Sequence, residues 1–313
     1  MASQLTLQTM VKLPSGHQIP QLGYGVSAVK LPEDVAEGVC IEAVTAGYRH
    51  AVPRAGLANT LFARSQKIDS AAVYKNEAGC GAAIRKIAST TPRDQIFFTS
   101  KVPGRTLSYE NAKAQVDKTL EVTGLDYVDL MLLHAPYGGS KARKEAWRGL
   151  VECVEEGKVR NIGVSNYGVH HLDELEKHIK ELEAERGGPG KGGVLSVGQW
   201  EIHPWCARND IAEWCKKRGV AVEAYSPLVR GERWGEPVLK KLADKYGKTE
   251  AQVLIRWSLD KGYIPLPKSV TPERIRQNTE VYDFALTPEE VKELETAEYK
   301  PVCWDPNTTP LDN

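Results

Sequence analysis

Strand-like and helix-like stretches alternate along this chain from residue 19 onward, and the alternation leaves few folds open. The β-rich runs are LGYGV (22–26), QIFFTSKV (95–102), YVDLMLLHA (127–135), VRNIGVSN (159–166), LSVGQWEIH (195–203), VAVEAYS (220–226) and YIPLP (263–267). Several are almost continuously apolar, as strands covered on both faces are. Between them lie amphipathic stretches such as PEDVAEGVCIEAVTAG, NAKAQVDKTLEVTG, KARKEAWRGLVECVEEG and RNDIAEWCKKRG, each closing near a glycine, the usual helix stop. A further strand in or beside the segment 47–77 brings the count to eight. Eight strands with intervening helices predict an α/β fold, a (β/α)8 barrel, rather than an open doubly wound sheet. A barrel sets the polar ends of successive strands around one mouth.

The early VKLPSGHQIP reads as a hairpin that caps the opposite end of the barrel. No GxGxxG follows the first strand, and LGYG is too short to cradle a pyrophosphate alone, so it reads as a tight turn needing two glycines. ERGGPGKGG (185–193) reads as a mobile surface loop with solvated basic residues. The tail YKPVCWDPNTTPLDN has no period but carries Cys303 and Trp304, which could be buried over a pocket, and extra surface helices complete the expected barrel.

Composition narrows the chemistry. The 41 basic and 41 acidic residues cancel, so no net field favours nucleic acid or an anionic membrane. The six cysteines show neither CxxC pairs nor histidine spacing, which predicts reduced thiols in a cytoplasmic protein and no metal site. No stretch approaches the ~20 apolar residues that span a bilayer. The activity must come from a local site.

The polar residues at strand ends are Asp69, Lys101, His134, Ser165 with Asn166, Gln199, His203 and Ser226, with Tyr74 shortly after Asp69 and Tyr225 before Ser226. Proton donation to a carbonyl is one reaction such a set could serve. A phenol has an ordinary pKa near ~10 and donates poorly at neutral pH unless a nearby cation stabilises its anion. That requires Tyr74, Lys101 and Asp69 within reach of one another in that order, with His134 orienting the carbonyl oxygen. Blander readings stay open: Lys101 as a salt-bridged strand-end lysine, His134 as a buried histidine bonded to a carbonyl, Tyr74 as an interface phenol. His203, ahead of a proline, reads as structural.

The segments GYRH plus IDSAAVYKNE, FFTSKV, LMLLHAP, GKVRNIGVSNY, QWEIHPW, EAYSPL and IPLPKSVTPERIRQN occur in register along the chain. In this order they resemble the aldo-keto reductase superfamily, and in particular its fungal aldehyde, aldose and glycerol-type reductases, from about residue 11 to the end. The resemblance implies a single barrel domain over 1–313, a C-terminal loop over the mouth, and NADPH bound without a Rossmann fold. Asp69, Tyr74, Lys101 and His134 match the family's catalytic tetrad, with Tyr74 as the acid. Ser165, Asn166 and Gln199 match residues that hold the nicotinamide carboxamide, and Tyr225 matches the aromatic stacked on that ring. Ser226 and Leu228 fall among the cofactor contacts. Lys268, Ser269 and Arg274 match the grip on the 2'-phosphate, so that NADPH is preferred over NADH, and Gln277 and Asn278 match adenine contacts. TPE in the same segment also reads as a helix start, with threonine as cap and proline in the first turn. Ala135 and Val26 replace bulkier aromatics of many relatives and imply a wider substrate pocket, part of whose wall Trp304 could supply.

One departure stands out. In the family pattern GYRHID is continuous, whereas here AVPRAGLANTLFARSQK (51–67) separates His50 from Ile68. An insert inside a barrel strand would orphan buried backbone groups. The least costly solution draws SQK or ARSQK into the strand, keeps Asp69 at its end, and sends the rest, with NTLFARS as a short helix, to the far face. Lys67 would then enter the barrel interior, where it needs a partner. The segment fits either a tolerated native loop or a recent insertion or gene-model error.

The expected function is NADPH-dependent reduction of aldehydes and some ketones by an oxidoreductase acting as a monomer or weak homodimer on a small-molecule carbonyl. The alternative is an NADPH-binding barrel, a sensor or regulatory subunit, in which the insert displaces Asp69 and Tyr74 and impairs catalysis. A phosphatase or a Schiff-base aldolase is the remote third.

Overall fold

The computed structural model describes residues 5–26, 32–46, 48, 66–303 and 305. Two short strands, β1 (Met10–Lys12) and β2 (Gln18–Pro20), pair antiparallel as the expected hairpin. The barrel follows as eight parallel strands in chain order: β3 (Tyr24–Gly25), β4 (Gln66–Asp69), β5 (Ile96–Val102), β6 (Val128–Leu133), β7 (Val159–Ser165), β8 (Leu195–Glu201), β9 (Ala221–Tyr225) and β10 (Ile264–Leu266). Backbone bonds from Gly23 N to Pro265 O (3.1 Å) and from Gly25 N to Pro267 O (3.1 Å) join the first strand to the last. The paired glycines of LGYG owe their identity to this seam rather than to a turn. A side chain at Gly23 would lie 2.6 Å from Leu266 Cδ2 and 2.9 Å from Lys67 Cδ.

Helices lie outside the strands: α1 (Glu33–Thr45), α2 (Glu77–Ile87), α3 (Tyr109–Thr123), α4 (Gly139–Glu155), α5 (Val169–Arg186), α6 (Asn209–Arg218), α7 (Pro237–Tyr246), α8 (Glu250–Asp260), α9 (Pro272–Gln277) and α10 (Pro288–Leu294). Their ends follow local chemistry. Ser108 caps α3 by accepting from Asn111 N, and Gly124, at φ 62°, closes it. Thr249 with Gln252 and Thr287 with Glu290 form capping boxes on α8 and α10. At α9 Pro272 occupies the first turn as expected, but the Thr271 side chain makes no cap bond. No helix among the described residues is long and apolar enough to cross a membrane.

Two apolar clusters hold the barrel. The larger packs helices on the outer strand faces and includes Trp147, Trp200 and Trp257, all fully buried. The smaller fills the lumen: Phe97, Leu130, Leu132, Val197, Ala221 and Ile264 meet Leu13 and Ile19 of the hairpin, which plugs this end. The 185–193 loop is on the surface, but its basic residues are paired, since Arg186 and Lys191 both reach Glu155. Its backbone is held too, with Gly190 N donating to Glu183 and Gly192 O accepting from Trp147 Nε1.

Of the insert, residues 51–65 lie outside the described residues, and with them the proposed NTLFARS helix. Gln66 and Lys67 are the first residues of β4, in register with Ile96 and Phe97 of β5. The insert's end is therefore drawn into the strand, leaving Asp69 at its C-terminal end.

Candidate active site

Strand residues two apart point to the same side, so β4 sends both Lys67 and Asp69 into the lumen, β5 sends Phe97, Thr99 and Lys101, and β9 sends Ala221, Glu223 and Tyr225. The interior is layered: an apolar floor against the hairpin, a charged layer above it, and a polar mouth at the strand ends. At the mouth Lys101 Nζ donates to Asp69 Oδ1 (2.8 Å) and to Ser70 O (2.7 Å), and Lys101 is fully buried. Burial works against the ammonium, but the Asp69 carboxylate, with Tyr74 beside it, outweighs burial and holds Lys101 above the usual lysine range.

Tyr74 leaves the short turn Ala72–Tyr74 after β4. The Lys101 ammonium lies 5.3 Å from the centre of its ring, and the His134 ring meets it edge-on with centroids 5.8 Å apart. Burial, aided by the Lys101 charge, takes His134 down to about 3, so its imidazole is neutral at physiological pH. The four residues picked out for proton chemistry thus stand together. Asp69 closes β4, and Tyr74 stands in the turn just after it.

A cavity of about 630 Å³ opens above this group, lined among others by Asp69, Tyr74, His134, Asn166, Tyr225 and Cys303. Its wall is rigidly bonded. Tyr225 donates its hydroxyl to Asn166 Oδ1 (2.9 Å), Asn166 Nδ2 donates to His134 O (2.9 Å), and Ser165 Oγ donates to Gln199 O (2.9 Å). Asn166 and Ser226 sit at positive φ, 62° and 49°, a strained backbone of the kind that clusters at functional sites. Gln199 Nε2 donates to Asp69 Oδ2 (2.7 Å) and to Glu223 Oε2 (2.6 Å). Val26 and Ala135 stand apart from this lining. Both are buried, Val26 through backbone bonds with Asp69 and Asn76 and Ala135 against Gly104. Trp304 lies outside the described residues.

Past Leu228, Arg230 and Lys268 the mouth continues into a second cavity of about 570 Å³, lined also by Trp234, Ser269, Arg274, Gln277 and Asn278. Among the described residues, neither Lys268 nor Arg274 forms an ion pair. Burial lowers Lys268 from its usual range. Two cations without an ion-pair partner among the described residues, facing a cavity that Glu250 also lines, would suit a phosphate dianion. The groove and this donor set would fit an extended dinucleotide.

Several residues of the site escaped the sequence reading. Glu223 is fully buried and bonds Lys67, but it lies within an apolar strand and no motif marks it. Glu201, read only as part of a strand, accepts from the backbone N–H groups of Val302 (2.5 Å) and Cys303 (3.0 Å) and ties the tail to the mouth. His203, read from the sequence as structural, bonds nothing in the cavity and pairs with Glu201 (2.9 Å). Arg230, at φ 52°, lines both cavities. Among the described residues no group of three His, Cys, Asp or Glu side chains could hold a metal ion.

The chain resembles known proteins over nearly its whole length. The model of the aldo/keto reductase family matches residues 45–236 and 232–298. An uncharacterized oxidoreductase of Schizosaccharomyces pombe is 38% identical over 313 residues, covering 97% of this chain and 100% of the relative. The glyoxal reductase of Bacillus subtilis is 36% identical and covers 93% of each chain. The crystal structure of an aldo-keto reductase of Bombyx mori in complex with NADP superposes with a TM-score of 0.79 at 27% identity, covering 97% of this chain and 98% of that one. The relatives are fungal, bacterial and insect, so the kinship is to the family at large. With the barrel, its polar mouth and these likenesses together, the chain belongs to the aldo/keto reductase family.

Proposed function

We propose that this protein reduces aldehydes and some ketones to alcohols with NADPH, as a single domain spanning residues 1–313. The reading is carried by one arrangement: the buried Lys101–Asp69 pair at the floor of a cavity that Tyr74 and a neutral His134 also line. Bound NADPH supplies a hydride to the carbonyl carbon. Tyr74 gives its phenolic proton to the carbonyl oxygen, and the Lys101 ammonium stabilises the phenolate left behind. Asp69 keeps that ammonium in place. His134, uncharged, donates a hydrogen bond that orients the carbonyl oxygen without competing as an acid.

Ser165, Asn166, Gln199 and Tyr225 form the wall where the nicotinamide would rest, with Ser226 and Leu228 at its edge. Lys268, Ser269 and Arg274 would grip the 2'-phosphate, with Gln277 and Asn278 beside the adenine. The Bombyx mori relative bound to NADP supports this cofactor, and the Bacillus subtilis glyoxal reductase supports small reactive aldehydes as substrates. A cytoplasmic monomer or weak homodimer, closest in character to fungal aldehyde reductases, completes the reading.

The test follows NADPH consumption by the full chain and by a variant lacking residues 51–65, which retains Gln66 and Lys67. The panel covers aldoses, glyceraldehyde, methylglyoxal and aromatic aldehydes. Comparable turnover by both chains is expected. A soluble full-length chain that binds NADPH yet turns over no carbonyl would overturn the reductase reading in favour of a cofactor-binding barrel.

A further inference from the structure

Among the described residues of the insert, Lys67 enters the barrel interior, and it is charged. Lys67, the insert's last residue, occupies the position where the family motif carries histidine. It is 1% exposed. Its ammonium pairs with Glu223 across the lumen, donates to Thr99 Oγ1 (3.2 Å) and lies 5.0 Å from the centre of the Phe97 ring. Glu223 is fully buried, and its second oxygen accepts from the Gln199 nitrogen that also donates to Asp69. A shared donor brings two carboxylates close enough to repel, and in a closed lumen both stay ionised only if each has a cation. Lys101 serves Asp69, and Lys67 serves Glu223.

We infer that Lys67 is a positioning residue for the reaction proposed above: by neutralising Glu223 from below, it leaves Asp69 an undisturbed carboxylate partner for Lys101. This inference rests on the reductase reading of the mouth. The charged and titratable groups around Glu223 are Lys67 and Asp69 on β4 and Lys101 on β5. Gln199 on β8 is neutral, and the neighbour on β10, Ile264, is apolar. Burial pushes the Glu223 carboxyl above its usual range, Lys67 pulls it back, and the Asp69 charge adds to the upward push. Without Lys67 the upward push is unopposed and the carboxyl takes up a proton more readily. A proton on the oxygen that faces Gln199 would present an O–H where that amide now donates; the amide would then turn, and Asp69 would lose one of its donors.

The test compares the full chain with Lys67→Met and with Lys67→Met/Glu223→Gln, which removes both charges. For Lys67→Met we expect kcat to fall at least about tenfold through displacement of the Asp69–Lys101 pair. Its pH profile should show one ionisation that the parent lacks. The double variant should regain most of the lost rate and lose the extra ionisation. The same proton uptake should appear without catalysis, as a steeper pH dependence of unfolding in Lys67→Met alone. A folded Lys67→Met with the parent's pH profile, or a double variant no better than the single one, overturns the inference while leaving the reductase reading intact. An inactive parent overturns the reductase reading itself, and the positioning role with it.

Discussion

The neutral state of His134 can be measured without knowing the substrate. Burial and the Lys101 charge take its imidazole from an ordinary 6.5 to about 3 in the folded chain. In the unfolded chain it binds a proton as the pH drops below its ordinary value, whereas in the folded chain it does not. The stabilising contribution is therefore complete above about pH 6.5 and is lost as the pH falls toward about 3. Between about pH 7 and about pH 4.5, nearly two pKa units of this difference are crossed, equivalent to about 2.5 kcal/mol at ~1.36 kcal/mol per unit. His134→Gln keeps a polar side chain of similar size that does not titrate. Urea unfolding of parent and variant at the two pH values isolates the histidine, because all other acid-labile groups are shared. The parent should lose about 2.5 kcal/mol more than His134→Gln over that range. Parallel losses would mean the imidazole is protonated in the folded barrel, and a neutral donor to the carbonyl would no longer be tenable.

Further expectations concern other parts of the site. Lys101→Met should lower kcat by roughly 10²- to 10³-fold, the usual effect of removing one preorganised electrostatic group, while fluorescence titration shows NADPH binding retained. Lys268→Ala with Arg274→Ala should weaken NADPH by about 1.5–3 kcal/mol per lost charged bond and leave NADH nearly unaffected, which competition titrations would show. Arg208 is buried and donates to Glu201 O (2.9 Å), Tyr299 Oη (2.8 Å) and Asp305 Oδ1 (3.0 Å). Arg208→Ala should destabilise the chain by about 3–5 kcal/mol, because it leaves a buried carboxylate without this cation, and thermal unfolding would record the drop.

Much of this architecture was already legible in the residues, for physical reasons that differ from element to element. Glycine or threonine at helix ends, apolar runs of strand length and a Pro-Ser-Gly turn act within a few neighbours, so the order of elements and the hairpin cap could be read directly. Asp69, Tyr74, Lys101 and His134 were visible because chemistry-bearing residues at strand ends of a barrel must face one mouth. Val26 and Ala135, by contrast, were expected at the substrate wall; both are buried, and neither is among the residues that line the cavity. Which side of a strand end a small apolar residue takes depends on its neighbours across the sheet.

The chain alone, then, determined the barrel and the company of polar groups at its mouth, because periodicity and strand ends are local properties. Tertiary structure decided which charges meet. Lys67 and Glu223 are 156 residues apart, and Gln199 and Asp69 are 130 apart. Their pairing follows only from closing the sheet on itself. Desolvation in that closed lumen then decides which groups carry charge, leaving His134 neutral and Lys101 cationic, and neither state is written in the residues' own acidities.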